Sequence, residues 1–337
     1  MLRFLTRRLL LLLFVIWGIS LVTFILARVV PTDPARLIAG PRAGPEAVEV
    51  VRHDYGLDRP AVEQYVRYMS GLISGDFGRS FTTKRPVTQD LRAFFPATVE
   101  LTLAALLIAL LLGLPIGVIA AVRRNSPLDY AGRSFAMFGL SLPPFWIGLL
   151  AQLVFYSGLT LLPVGSRLSQ DVPAPPMLAG LYTVDSLLTG QWATFLDVLR
   201  HLALPATVLG LSTTAVFVRL VRTTLLEVLG HDYVRTARAK GLRERSVMLR
   251  HALRNALLPV LTFGGLQLGL LLSGTLLVES IFTWPGIGRY STQAIVGADY
   301  NGIMGVTIVI ALIYLLVNTM VDLLYAWLEP RLHYGGN

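Results

Sequence analysis

"DYVRTARAKGLRERSVMLRHALRNALLP", Asp232 to Pro259, stands between two long apolar stretches and carries nine charges, seven of them Arg or Lys. Tyr233 to Lys240 contains neither Pro nor Gly and favours helix. Gly241 supplies the left-handed position that ends a short helix, and Leu242 to Leu258 reads as helix again up to Pro259. Arg243, Arg250 and Arg254 fall at i, i+7 and i+11 on one face of that second helix. Leu249, Ala252, Leu253, Ala256 and Leu257 form the opposite, apolar face. A loop that only fixes topology needs scattered charge and no shaped turn. A tight glycine bend that exposes Tyr233, Val234, Ala237 and Ala239 suits a knob inserting into a cleft on a partner.

The surrounding chain is a membrane protein. Of its 337 residues 54% are hydrophobic and 15% charged, with a mean hydropathy of +0.63, whereas soluble domains carry about 25% charged residues. About 20 apolar residues cross the hydrocarbon core, and six runs of that order occur: Leu9–Val30, Thr98–Ala121, Met137–Leu161, Leu202–Val221, Leu257–Ser280 and Gly302–Leu323. The first has a basic start (Arg3, Arg7, Arg8), but its uncharged stretch is longer than a signal-peptide core and no small-residue cleavage site follows, so it is expected to be a retained span.

The basic connectors "VRRNSPLDYAGR" (122–133) and Arg219 to Arg254 both fall on the side of the N-terminus, as positive-inside requires for six spans with both ends cytoplasmic. Residues 31–96 form a long outside loop, in which "RPAVEQYVRYMSGLISGDFG" predicts an amphipathic helix with Pro60 at its first position, ending at Gly75. The connector Pro163 to Arg200 is a second outside element: a proline-rich stretch, then a helix carrying Tyr182 and Trp192. The net charge of +9 is explained by this topology, and nucleic acid is not an expected partner.

Several chemistries are excluded. There is no cysteine, the five histidines show no metal-ligand spacing, and neither Lys84 nor Lys240 lies in a phosphate-cradling G-x-x-x-x-G-K-[ST] loop. "GRSF" occurs at Gly78 and Gly132, outside the apolar cores, so no nucleophile and base share a site. Glu279 and Asp322 sit at span ends, where capping or helix pairing is expected rather than a proton relay. Uncharged polar groups are commoner in the spans, and Gln152, Thr214, Gln267 and Ser273 are the candidates for a substrate path. "SLPPFWIG" places two consecutive prolines in the third run and predicts a kink.

"YVRTARAKGLRERSVMLRHALRNALLPVLT" resembles the cytoplasmic loop motif of binding-protein-dependent ABC importer permeases. "YGLDRPAVEQYVRYMSGLISGDFGRSF" (55–81), "SLPPFWIGLL" (141–150), "VESIFTWPGIG" (278–288) and "NTMVDLLYAWLEPRL" (318–332) are similar to the dipeptide, oligopeptide and nickel branch. The general motif begins Glu-Ala-Ala where this chain has Arg235, Thr236 and Ala237, and the gap from Gly241 to Pro259 is longer, as in the peptide branch.

The resemblance implies an all-α, type I ABC importer permease fold with six spans: a first helix (1–30), an extracytoplasmic loop domain (31–96), a transmembrane core (97–328) with a coupling loop (222–257), and a cytoplasmic tail (329–337). It also implies a subunit that is not itself an enzyme, seated in lipid in a bacterial cytoplasmic membrane. Its expected partners are a second permease, two ATP-binding subunits and an extracytoplasmic solute-binding protein. ATP and magnesium are used by the partners, and no cofactor is bound by this chain. Tyr233, Arg235, Thr236, Ala237, Ala239, Lys240 and Gly241 would dock in the ATPase. Short peptides are the expected cargo, with nickel or glutathione the alternatives within the class, and an uncoupled scaffold or channel the alternative outside it.

Overall fold

The computed structural model describes residues 2–29, 34–40 and 42–328. The tail 329–337 and residue 30 lie outside them. The described residues are helical, apart from loops and an isolated bridge between Arg79 and Pro86. In chain order the helices are α1 (Leu2–Val29), α2 (Pro34–Ala39), α3 (Pro45–Asp54), α4 (Ala61–Ser74), α5 (Val87–Val122), α6 (Pro127–Ser141), α7 (Pro144–Ala151) and α8 (Tyr182–Leu188). They continue as α9 (Trp192–Leu229), α10 (Asp232–Ala239), α11 (Glu244–Ser246), α12 (Arg254–Gly274), α13 (Leu276–Ile281), α14 (Ile287–Val296) and α15 (Tyr300–Leu328). π-helical turns follow α7 (Gln152–Gly158) and join α11 to α12 (Val247–Leu253).

Four segments are long and apolar enough to cross a membrane: Val87–Val122, Trp192–Leu229, Glu244–Ser273 and Tyr300–Leu324. The third expected run is not one helix. It begins at Pro127 and turns by 98° between α6 and α7. Leu142 and Pro143 each precede a proline, and both take extended backbone, ψ 126° and 135°, because the proline ring excludes the helical region for its predecessor. The first expected run is α1, whose described apolar stretch is Leu10–Leu26. The fourth is longer than expected, since α9 starts at Trp192 and passes through Pro205 for 38 residues, about 57 Å. Pro60 caps α4 from just outside rather than occupying its first position, while Gly75 closes it at φ 78° as expected.

By its contacts the chain divides into two compact units, 1–96 with 286–315 and 97–285 with 316–337. In the first, α4 lies on α1: Tyr65 is hydrogen-bonded to Ser20 at 2.9 Å and its ring meets Phe24 edge-on at 5.2 Å. Burial pushes the Tyr68 phenol up to about 12. The loop 78–86 is clasped by the α14–α15 junction, where Asp299 accepts hydrogen bonds from the Ser80 hydroxyl and from the N–H groups of Thr82 and Gly302. Val87, Leu91, Ile287, Tyr290 and Val306 fill the core beside that clasp.

In the second unit α5 and α9 pack backbone to backbone. Lipid tails are as apolar as leucine, so apolar burial alone cannot drive two spans together, and close approach must supply dispersion instead. Gly113 and Gly117, spaced as G-x-x-x-G, allow it. A Cβ at Gly113 would stand 2.7 Å from Cβ of Phe217, and one at Gly117 2.7 Å from Cβ of Val221. Trp284, fully buried, donates its indole N–H to the Ala97 carbonyl at 2.8 Å. Glu279 has the pairing role expected of it, accepting from Thr98 of α5 and Thr275, both at 2.7 Å.

The connector 163–191 is held by a buried ion pair, Arg167 Nε to Glu100 at 2.7 Å, with Arg167 stacked 3.7 Å over the Tyr182 ring. Thr183 donates to the same carboxylate through its backbone N–H and its hydroxyl.

Candidate coupling site

The motif begins where α9 runs out. Gly230 and His231 turn the chain, and α10 follows with Asp232 in its first turn, a favourable place for negative charge at a helix N-terminus. α10 ends in a Schellman arrangement: the Gly241 N–H donates to the Arg238 carbonyl at 2.9 Å and the Leu242 N–H to that of Ala237 at 3.4 Å. Gly241 has φ +75°, and a Cβ there would meet nothing within 4 Å. Its need for glycine is therefore one of backbone conformation and not of space.

Across this bend Arg238 grips Glu244 bidentately, Nε to Oε2 at 3.1 Å and Nη2 to Oε1 at 2.7 Å. The Glu244 hydrogen bonds hold the Arg238 guanidinium above its ordinary pKa. Both side chains are exposed, so the pair contributes only about 0.2–1 kcal/mol and serves mainly to shape the bend.

Below the bend lies a small core. Val234 and Ala237 are buried against Ala121, Leu225, Val228, Val247, Ala252 and Ala256. The expectation that both sit on an exposed surface is thus corrected: on an eight-residue helix they fall three residues apart, on the face turned to the spans. Tyr233, Arg235, Thr236, Ala239, Lys240 and Gly241 are exposed, as expected, and with Leu242 they form a small basic knob. Tyr233 is tethered at its far end, its hydroxyl accepting from Asn255 Nδ2 at 2.8 Å.

The second helix differs from its expected form in two ways. It does not stop at Pro259, which lies inside α12. It also contains the π-helical turn Val247–Leu253, whose wider winding rotates the faces away from a 3.6-residue reading. Leu249, assigned to the buried face, is consequently 52% exposed, next to Arg250.

A charge count alone misses the anchor of this region. Asp129, fully buried at the start of α6, accepts from Arg222 Nε at 2.6 Å and Nη2 at 2.9 Å, and from the Asn125 N–H at 2.9 Å. Asp129 and Arg222 look like topogenic loop charges in the sequence, yet they tie α6 to the end of α9 just before α10.

The four expected pathway residues are not brought together. Thr214 is fully buried and donates to the Gly210 carbonyl at 2.6 Å, while its own carbonyl lies 3.3 Å from where a Gly113 Cβ would stand. It belongs to the α5–α9 contact. Gln152 bridges the Val164 and Ile281 carbonyls at 2.9 and 3.0 Å, a structural cross-link. Ser273 donates to the Gly269 carbonyl within its own helix at 2.8 Å, and Gln267 is half-buried on α12. By contrast, Ser212 Oγ and Asn318 Oδ1 are buried and lack hydrogen-bond partners among the described residues. Among the described residues no cluster of His, Asp and Glu could hold a metal ion.

Comparison with known proteins places the chain in one family. Residues 113–334 match the family described as binding-protein-dependent transport system inner membrane component, and residues 1–102 match its N-terminal companion. The chain is 45% identical over 325 residues, 96% of each chain, to the "Probable D,D-dipeptide transport system permease protein DdpB" of Escherichia coli (strain K12). It is 44% identical over 335 residues, 99% of each, to the di/tripeptide transport system permease protein DppB of Pseudomonas aeruginosa (strain UCBPP-PA14). To the glutathione transport system permease protein GsiC of Escherichia coli (strain K12) it is 37% identical over 334 residues, 99% of this chain and all of the other. The chain belongs to the binding-protein-dependent transport system permeases of the ABC importer class, in the dipeptide branch.

Proposed function

We propose that this chain is the translocation subunit of an ATP-driven importer of short peptides, with its N- and C-termini in the cytoplasm. It works beside a second permease, two ATP-binding subunits and an extracytoplasmic solute-binding protein. The observation that carries the proposal is α10: a short exposed helix, closed by a positive-φ glycine and braced from below by Val234 and Ala237 on the ends of the spans. A helix so mounted cannot yield independently of the bundle, so a force applied to Tyr233, Arg235, Thr236, Ala239, Lys240 and Gly241 is passed to α5, α9 and α12. Ala237 acts from beneath, as part of the mount. When the ATPase dimer closes on ATP and magnesium, its grooves carry α10 with them and the bundle exchanges an inward-open for an outward-open arrangement. Hydrolysis belongs to the partners.

Peptide cargo rests on the dipeptide relatives, and glutathione, itself a peptide, is the nearest alternative. Nickel import within the same class is the other. The reconstituted complex, with its binding protein, is expected to hydrolyse ATP faster in the presence of di- and tripeptides. Stimulation by nickel alone would overturn the cargo, and loop-independent attachment of the ATP-binding subunits would overturn the coupling in favour of a scaffold or channel.

A further inference from the structure

Beside the connector from Pro163 to Arg200 lies an open cleft of about 550 Å³, a size in the range of ligand pockets. One wall is the end of the π-helical turn, with Tyr156 and Ser157; Thr160 and the apolar residues 161–163 continue it. The other wall is Ser169 and the first turns of α9, with Asp197 and Arg200.

Asp197 is fixed in place: one carboxylate oxygen accepts the Ser169 N–H at 2.8 Å and the other the Ser169 hydroxyl at 2.9 Å. Each oxygen keeps a lone pair for a further donor. Arg200, three residues on, is exposed and forms no hydrogen bond or ion pair among the described residues. On the charge-based topology it lies on the outer side, where Arg is disfavoured. The only other basic residue of this connector, Arg167, is used in a buried ion pair. Neither topology nor internal structure accounts for Arg200.

Residues at i and i+3 of a helix have Cβ atoms about 5–6 Å apart, and an extended dipeptide spans about 7 Å. An anchored carboxylate and a free guanidinium mounted one helical turn apart in one cleft, which Tyr156, Ser157 and Thr160 also line, complement a small zwitterion with a peptide bond between its charges. We propose that this cleft is an outer-face subsite for a short zwitterionic peptide, with Asp197 taking the ammonium and Arg200 the carboxylate. The guanidinium fork suits a carboxylate bidentately, and Tyr156, Ser157 and Thr160 face the peptide bond without selecting among side chains. The inference rests on the peptide reading above.

Because the chain has no cysteine, a Ser157→Cys reporter in the assembled importer is a unique thiol in this subunit. A zwitterionic dipeptide is expected to slow its modification by a maleimide, and the N-acetylated, C-amidated form to give no protection. Arg200→Gln and Asp197→Asn should each weaken protection roughly tenfold, as for loss of a charge-assisted hydrogen bond, while Arg200→Lys retains part of it. Equal protection by the capped peptide, or protection set by phosphatidylethanolamine in the nanodisc rather than by added peptide, would overturn the subsite. Peptide uptake by the intact importer without protection overturns the subsite alone. Absence of uptake overturns the cargo reading and the subsite together.

Discussion

Gly241 holds φ +75° at the bend of the coupling motif, with open space where a side chain would stand. The cost of replacing it is therefore torsional, about 1–2 kcal/mol for an ordinary L-residue. Gly241→Val should leave substrate-stimulated ATP hydrolysis several-fold lower in the reconstituted complex, whereas Gly241→Asn, which tolerates the left-handed region, should keep most of it. Equal activity in both variants would show that the bend does not transmit. Asp129 and Arg222 set a different scale. Removing Asp129 leaves the partly exposed Arg222 without its partner, at about 1–3 kcal/mol, so Asp129→Asn should lower the thermal midpoint of the solubilised complex. Replacing both residues with apolar ones should be milder than either single change. Arg238→Ala, which breaks only the exposed pair, should cost about 0.5 kcal/mol. Gly241 was legible in the sequence because its requirement is local. The burial of Val234, Ala237 and Thr214 was not, because a short amphipathic stretch does not say which neighbour it meets.

At the level of elements, apolar length located four long spans and the bent pair α6–α7, and proline chemistry located the bend, while the apolar stretch of α1 is shorter than the expected run. The exact course did not follow from either. The 98° turn needs two successive residues driven to extended backbone, and the rotated face after Val247 needs a π-helical turn that no residue type announces. The passage of α12 through Pro259 runs against proline's local preference, so the surrounding helix overrides it. The α5–α9 contact is the element most sensitive to size. At Gly117 a Cβ would fall 3.0 Å from the Val218 carbonyl as well as 2.7 Å from Val221 Cβ. Gly117→Leu should therefore separate the helices and reduce the yield of folded complex, measured by size exclusion in detergent. A wild-type elution profile would contradict that packing.

The whole molecule is a permease that carries no phosphate-binding loop, and its exposed basic knob is mounted on the ends of its spans. On the proposed reading the loop is a point of entry for force, with the work of hydrolysis supplied by the ATP-binding partners. The most direct test uses single cysteines in this cysteine-free chain, placed on α10 and cross-linked to the ATP-binding subunits in the assembled importer. Thr236→Cys and Ala239→Cys, on the exposed side, are predicted to cross-link efficiently, and Val234→Cys, on the buried side, hardly at all. Absence of cross-linking from Thr236→Cys and Ala239→Cys, or equal cross-linking from Met177→Cys in the connector 163–191, would contradict the account.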